Sequence, residues 1–483
     1  MSKIESINEF VIKFANVNGS GSASANQMFA KGVFRSGIPV SPKNIFPSNI
    51  QGLPTWFEVR VSEKGYLGRK DGIDIFVAMN PQSYYQDLQE LNPGGYFIYD
   101  SSWERKFDRE DVNVLGIPLV KLCLEFPNLK QRLLFKNLVY VGALSFMLGI
   151  DKEIYIKLIE EQFKGKEKLI APNIRALEIG FEYAKENLED ACDIRVKKSN
   201  KTDGLILTSG NDAAGLGSVY GGATVCAWYP ITPSTSMAES FTNYCEDLRI
   251  DPETGKNNFA IIQAEDELAA VGMAIGANWN GARAFTATSG PGISLMGEFI
   301  GLAYFSEVPL VIFNIQRGGP STGMPTRTQQ SDILACAFAS HGDTKHVLLF
   351  PSDPKECFDF AVEAFDLADQ LQTPVFFMSD LDLGMNDWST PEFEWDDSRI
   401  IDRGKVLNYE DLENMDTEYG RYNDVDGDGI PYRTYPGTHP SKGAYFNRGT
   451  SHDAFARYTE DGKIHAEVLL RLSKKYQTAS KIL

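Results

Sequence analysis

Short apolar runs recur along this chain, and most end in a loop rich in Gly, Ser, Thr or Pro that leads into a stretch of helical period. Phe10 to Ala15 (FVIKFA) predicts a buried strand, Gly19 and Gly21 a loop, and Ala25 to Phe34 a helix, the first half of a βαβ unit. Ser48 to Lys64 alternates apolar and polar residues as a half-buried strand does. Ile73 to Asn80 and Gly94 to Ser102 read as buried strands, with a helix over Ser83 to Leu91 between them. Residues 129–190 predict three helices, the first apolar nearly all round and therefore buried.

The polar, Gly-terminated stretch 194–204 (IRVKKSNKTDG) reads as a linker. From Leu205 the alternation resumes, starting with strand, Gly loop, helix and strand over GLILTSGNDAAGLGSVYGGATVCAWYPIT. It continues through AIIQAEDELAAVGMAIGANW, ARAFTATSG, PLVIFNIQ, HVLLFP and TPVFFMSD to about residue 385, the pattern of a doubly wound parallel sheet. Beyond it Trp, acidic residues and turn formers dominate, and the last stretch, Gly462 to Leu483, returns to helical spacing. The expected fold is α/β with two doubly wound parallel-sheet domains: 1–193, the linker 194–204, a second domain over 205–390, and an extended arm with a terminal helix over 391–483.

Composition narrows this picture. The 483 residues carry 47 basic and 65 acidic side chains, a net charge of −18, and no Lys/Arg-rich run, which argues against nucleic acid and anionic membrane as partners. The six cysteines are scattered with no C-x-x-C pair, so neither a zinc ribbon nor an iron–sulfur ligand run is expected, and reduced thiols in a cytoplasmic protein are. No signal peptide or membrane-length apolar run is evident. Gly19 and Gly21 lack the third glycine of a dinucleotide loop.

Candidate chemistry lies at the ends of the second domain's strands. Tyr229-Pro230-Ile231-Thr232-Pro233-Ser234 fixes a loop between two prolines, from which Thr232 and Ser234 offer hydroxyls. Glu267 opens a helix of unusually small residues (Ala269, Ala270, Gly272, Ala274, Gly276, Ala277), where another backbone or a flat ligand can approach. Acids in a first turn also suit the helix dipole. Arg317 follows a buried strand and sits beside Gly318-Gly319, placed to clamp a carboxylate, with Thr322 and Thr326 nearby in sequence. Asp424, Asp426 and Asp428 match the first positions of a calcium loop, but Tyr435 stands where its bidentate Glu belongs. The five histidines form no metal-binding pair.

Taken together, YPITPS (Tyr229 to Ser234), the ED-E-A helix start, RAFTATSGPG (Arg283 to Gly292) and QRGGPSTGMPT (Gln316 to Thr326) resemble the α subunit of 2-oxoacid:ferredoxin oxidoreductases, with the 2-oxoglutarate type the best match. The N-terminal Gly loop and QGLPTWFEVRVS resemble that family's γ domain fused ahead of α, and DVDGDGIPYRT resembles its arm. The resemblance implies decarboxylation of a 2-oxoacid on thiamine diphosphate, electrons passed to ferredoxin, and acyl transfer to coenzyme A. It implies that this chain supplies the pyrimidine side of the cofactor site, and a partner β subunit the diphosphate site, its Mg2+ and a [4Fe-4S] cluster, in a hetero-oligomer. Glu267 then resembles the carboxylate that hydrogen-bonds the aminopyrimidine, with Tyr229, Pro230 and Ile231 beside the cofactor. Thr232, Ser234, Arg317 and Thr322 resemble substrate contacts, and Arg317 the carboxylate-binding Arg. Gly427-Asp428-Gly429 superficially matches a diphosphate motif but lacks the preceding apolar strand and the downstream Asn pair. The family continues past a helix like Gly462 to Leu483 into a further α/β domain, which implies either a shortened chain or a separate polypeptide. Pyruvate or a branched-chain 2-oxoacid as substrate, and a non-catalytic assembly subunit, are the alternative readings.

Overall fold

The computed structural model describes residues 3–17, 19–47 and 53–482; Asn18 of the glycine loop, residues 48–52 of the expected alternating strand and Leu483 of the terminal helix lie outside them. The chain forms two compact units, one of the residues up to Thr208 with Asn386–Glu392, the other of Ser209–Met385 with Phe393–Leu483.

The first unit contains β1 (Glu5–Ile7), β2 (Glu9–Val17), β3 (Val40–Ile45), β4 (Pro54–Ser62), β5 (Ile73–Ala78), β6 (Leu91–Asp100), β7 (Asn113–Ile117) and β8 (Asp193–Arg195). Its main sheet runs β3-β4-β2-β5-β6-β7. Strands β2, β5, β6 and β7 are parallel, whereas β4 is antiparallel to both β2 and β3. The expected parallel sheet therefore carries an antiparallel edge. Its outer strand, VSPKNI, has no apolar run and gave no strand signal. Strand β2 is buried on both faces: Phe10, Ile12 and Phe14 point into the larger core, Val11 and Ala15 into a smaller one with Tyr84 and Leu88. That is why its sequence is nearly all apolar rather than alternating.

Helices Leu129–Leu148 and Ile170–Asn187 cross in the larger core through glycine. A Cβ on Gly142 would meet the Leu177 carbonyl at 1.9 Å, and one on Gly180 the Val139 carbonyl at 1.8 Å. The first of these helices is buried only from Phe135 onward; Leu129 and Leu133, in its opening turns, are 70% and 59% exposed. Part of the expected linker is structured as well, because β8 pairs in parallel with β1.

The second unit is built on β10 (Val225–Trp228), β11 (Ala260–Gln263), β12 (Ala284–Thr288), β13 (Leu310–Gln316), β14 (Val347–Leu349) and β15 (Pro374–Asp380), ordered β11-β10-β12-β13-β15-β14 and parallel throughout. On one face, Val271, Ile275, Ile293 and Met296 of helices Glu267–Trp279 and Gly290–Ser306 pack on Ile312, Phe376 and Met378. On the other, Phe241, Phe285, Phe313, Phe365 and Phe377 form an edge-to-face and tilted aromatic chain. Strand β9 (Leu205–Ser209), expected at the start of this sheet, stands outside it and pairs instead with β16 (Asp387–Pro391). The returning segment Asn386–Glu392 thus groups with the first unit, and the expected boundary at residue 390 falls inside β16.

The arm of the second unit is irregular but anchored by buried charge. Asp369 receives Arg283, Arg433 and Arg403 at 2.8, 2.8 and 3.0 Å. Glu307, at the end of helix Gly290–Ser306, receives Lys475 of the terminal helix Gly462–Ile482 at 2.8 Å together with Arg471. Burial alone would raise the Glu307 carboxyl, but Arg471, Lys475 and Arg421 outweigh it and hold it far below the ordinary carboxylate range. All six cysteines are buried thiols. Among the described residues no helix is long and apolar enough to cross a membrane.

Candidate active site

In the second sheet the strand order turns at β10, with β11 on one side and β12 on the other. The carboxyl ends of strands around such a reversal are where open α/β sheets take ligands. The candidate residues reach this edge from three loops and a helix start.

The first loop follows β10. Tyr229, Ile231 and Thr232 are half-buried and Pro230 is exposed. Behind it, the buried Asn211 amide donates to the Pro233 carbonyl at 2.9 Å and the Ser236 hydroxyl at 2.8 Å. Ser234 differs from expectation: it is fully buried, and its hydroxyl donates to the Ile231 carbonyl at 3.0 Å, so it braces the loop instead of offering a free hydroxyl.

Glu267 is the first residue of its helix, after the cap Asp266, whose side chain accepts from the Ala269 amide at 2.7 Å. It is only 6% exposed, yet its carboxyl makes no hydrogen bond or ion pair to any described residue. Gly292, in the first turn of helix Gly290–Ser306, lies against it. A Cβ on Gly292 would stand 2.9 Å from Glu267 Cγ and 1.9 Å from Thr288 Oγ1. The glycine of the GPG motif is thus required by close approach.

Arg317 directly follows β13 and is 7% exposed. Its Nη1 donates to the Thr232 carbonyl at 2.7 Å and its Nη2 to the Thr322 carbonyl at 3.2 Å, tying two loops together, while Nε is buried without a partner. Burial lowers its pKa; the charges of Asp332 and Glu267 oppose that shift. Thr322 is exposed and engages Arg317 through its carbonyl. Thr326 is bonded to its neighbour, its hydroxyl accepting from Arg327 at 3.1 Å.

Asp332 drew no attention in the sequence. It is half-buried, and burial raises its pKa. It accepts from the Asn314 amide at 3.3 Å and donates its backbone N–H to Gln316 Oε1 at 3.1 Å. Its carboxylate lies over Gly290, where a Cβ would meet both oxygens at 2.8 Å. The detectable signal was Asn314 and Gln316, two amides inside an otherwise apolar buried strand.

The acidic loop of the arm does not form the cation site its spacing predicts. Lys405 Nζ takes the place of a cation there, 2.6 Å from Asp426, 2.9 Å from Asp428 and 3.1 Å from the Ile430 carbonyl. Asp424 caps the Gly429 amide at 3.0 Å and faces Lys474 at 3.6 Å. Among the described residues no group of three or more His, Cys, Asp or Glu side chains is placed to hold a metal.

Residues 217–458 match the family model for pyruvate flavodoxin/ferredoxin oxidoreductase, thiamine diphosphate-binding, and residues 11–183 that for pyruvate ferredoxin/flavodoxin oxidoreductase. Subunit α of 2-oxoacid:ferredoxin oxidoreductase 2 from Aeropyrum pernix is 30% identical over 505 residues, covering 95% of this chain and 77% of its own length. The 2-oxoglutarate synthase subunit KorA of Methanothermobacter thermautotrophicus is 48% identical over 171 residues, 35% of this chain and 43% of its own. The 2-oxoglutarate:ferredoxin oxidoreductase of Magnetococcus marinus, solved with 2-oxoglutarate, coenzyme A and succinyl-CoA bound, superposes with a TM-score of 0.84 at 30% identity, over 99% of this chain and 80% of that one. With such likeness over nearly its whole length, and with the strand-end site lying inside the thiamine diphosphate-binding match, the chain belongs to the α subunits of the 2-oxoacid:ferredoxin oxidoreductases.

Proposed function

We propose that this chain is the fused γ/α subunit of a 2-oxoglutarate:ferredoxin oxidoreductase. With a β subunit it converts 2-oxoglutarate and coenzyme A to succinyl-CoA and CO2, and passes the electrons to ferredoxin. The observation that carries this reading is the Glu267 carboxyl, nearly buried and yet without a protein partner. A group in that state fits a ligand nitrogen that shares a proton with it. Thiamine diphosphate, when bound, supplies the nucleophilic carbon and the electron sink.

Glu267 holds and exchanges the proton at the aminopyrimidine edge, beside Tyr229, Pro230 and Ile231. Arg317, fixed by the Thr232 and Thr322 carbonyls, turns its remaining N–H groups to the substrate carboxylate, and Thr232 borders the same space. The β subunit supplies the diphosphate site, Mg2+ and a [4Fe-4S] cluster, in a cytoplasmic hetero-oligomer.

Co-expression with the β subunit tests the assignment. Glu267→Gln is expected to lose nearly all turnover with no change in the unfolding midpoint, and retained turnover overturns its role. Arg317 addresses the carboxylate that pyruvate and branched-chain 2-oxoacids share with 2-oxoglutarate. The substrate is therefore read from kcat/KM on each, with 2-oxoglutarate expected to lead.

A further inference from the structure

Two carboxylates flank the first turn of one helix at the candidate site. Glu267 leans on Gly292 and Asp332 on Gly290, and both glycines are needed because a Cβ at either would collide. The Arg317 guanidinium is bonded only to backbone carbonyls and closes no ion pair among the described residues. Both carboxylates nonetheless act on it through space. Asp332, anchored to Gln316 next to Arg317 in the chain, is thus a carboxyl group near a buried guanidinium that closes no ion pair.

Asp332 is held for that position. Asn314 and Gln316, from the strand that Arg317 follows, fix its carboxylate and its backbone N–H. The loop that Arg317 opens closes at Asp332, so one turn of chain carries both the cation and its counter-charge. Gln330, two residues earlier, is anchored to Asp380 at 2.7 Å, which secures the closing end.

We propose that Asp332 is a positioning residue that tempers the hold of Arg317 on the substrate carboxylate. The argument rests on the reading that Arg317 binds that carboxylate. The incoming 2-oxoacid brings its carboxylate to a guanidinium on which Asp332 already acts. Asp332 therefore weakens ground-state binding. During decarboxylation the C1–C2 bond breaks, the electron pair stays with C2, and the carboxylate departs as neutral CO2. A site that grips the carboxylate less tightly loses less on the way to that transition state. A charge removed without loss of shape should tighten binding and slow turnover together, a pattern that damage to the fold does not produce.

The test uses the complex with its β subunit and N-oxalylglycine, a 2-oxoacid analogue that is not decarboxylated. Asp332→Asn is expected to bind the analogue about three- to tenfold more tightly, the order of effect of one nearby charge in a partly solvated site. KM and kcat for 2-oxoglutarate are both expected to fall, with the unfolding midpoint unchanged. Asp332→Ser removes the same charge in less space and is expected to act alike, so a folding defect in one variant leaves the other to decide. Arg317→Gln separates the two levels of inference. If it fails to weaken analogue binding, the reading of Arg317 is wrong. If it weakens binding but neither Asp332 variant tightens it, the role of Asp332 alone is overturned.

Discussion

At the scale of single residues, what matters most is what a side chain already touches. The rigid proline-bounded loop predicts a free hydroxyl at Ser234, and the sequence sets Thr322 beside Arg317 in an anion site. Ser234 commits its hydroxyl to Ile231, and Thr322 engages Arg317 only through its carbonyl. Sequence exposes a residue's type but not its partner, so the loops were legible and the bonding was not. Gly292 makes the converse point: its necessity comes from Thr288 and Glu267, which the sequence alone does not place beside it. Gly292→Ala is expected to cost about 1–3 kcal/mol from overpacking and to reduce turnover by displacing Glu267; urea unfolding and steady-state rates of the complex check both. Asp87, in the first unit, offers a pH test. Burial raises its carboxyl to about 6 despite hydrogen bonds from Ser83 and Trp56. The native state therefore binds this proton more tightly than the unfolded chain. Its contribution to stability is complete below the ordinary value of 3.8 and is lost as pH rises through about 6. Asp87→Asn should lack that decline. Its unfolding free energy relative to the parent should rise between pH 4 and 7 by about 2–3 kcal/mol at most, measured by denaturant titration at each pH.

At the scale of elements, apolar runs with Gly and Pro punctuation made the parallel strands readable, because strands buried on both faces need continuous hydrophobic sequence. Strand β3 escaped notice, since Pro42, Lys43 and Asn44 break its apolar pattern. The small-residue helix after Glu267 was legible as a close-approach surface; that the neighbouring helix also needs glycine at its start was not. The terminal helix Gly462–Ile482 illustrates a further force: its spacing predicted a helix, and it adds buried charge to the apolar contacts of Val468 and Leu472 with Tyr304. Arg471 and Lys475 converge on the fully buried side chain of Glu307. Breaking such a group leaves an uncompensated charge in the interior, so Arg471→Ala is expected to cost about 3–5 kcal/mol. Hydrogen exchange should then show the terminal helix losing protection before the central strands.

At the scale of the whole molecule, the alternating pattern disclosed two α/β units and placed the change between them near residue 205, but not the way the chain is shared. The first unit is completed by Asn386–Glu392, where β16 pairs with β9. Pairing between segments so far apart leaves no local signature in either. A fragment ending at residue 208 is expected to expose β9 and to unfold at lower denaturant than the same fragment supplied with residues 386–392, a comparison made by circular dichroism. The interleaving also bears on protein engineering. A protease cut in the 194–204 stretch would not produce two self-contained pieces, because residues of the first unit remain on both products. Recombining this N-terminal unit with another catalytic chain therefore requires moving two stretches of gene, and a swap drawn at a single point in the linker would leave β9 and β16 behind on the original chain.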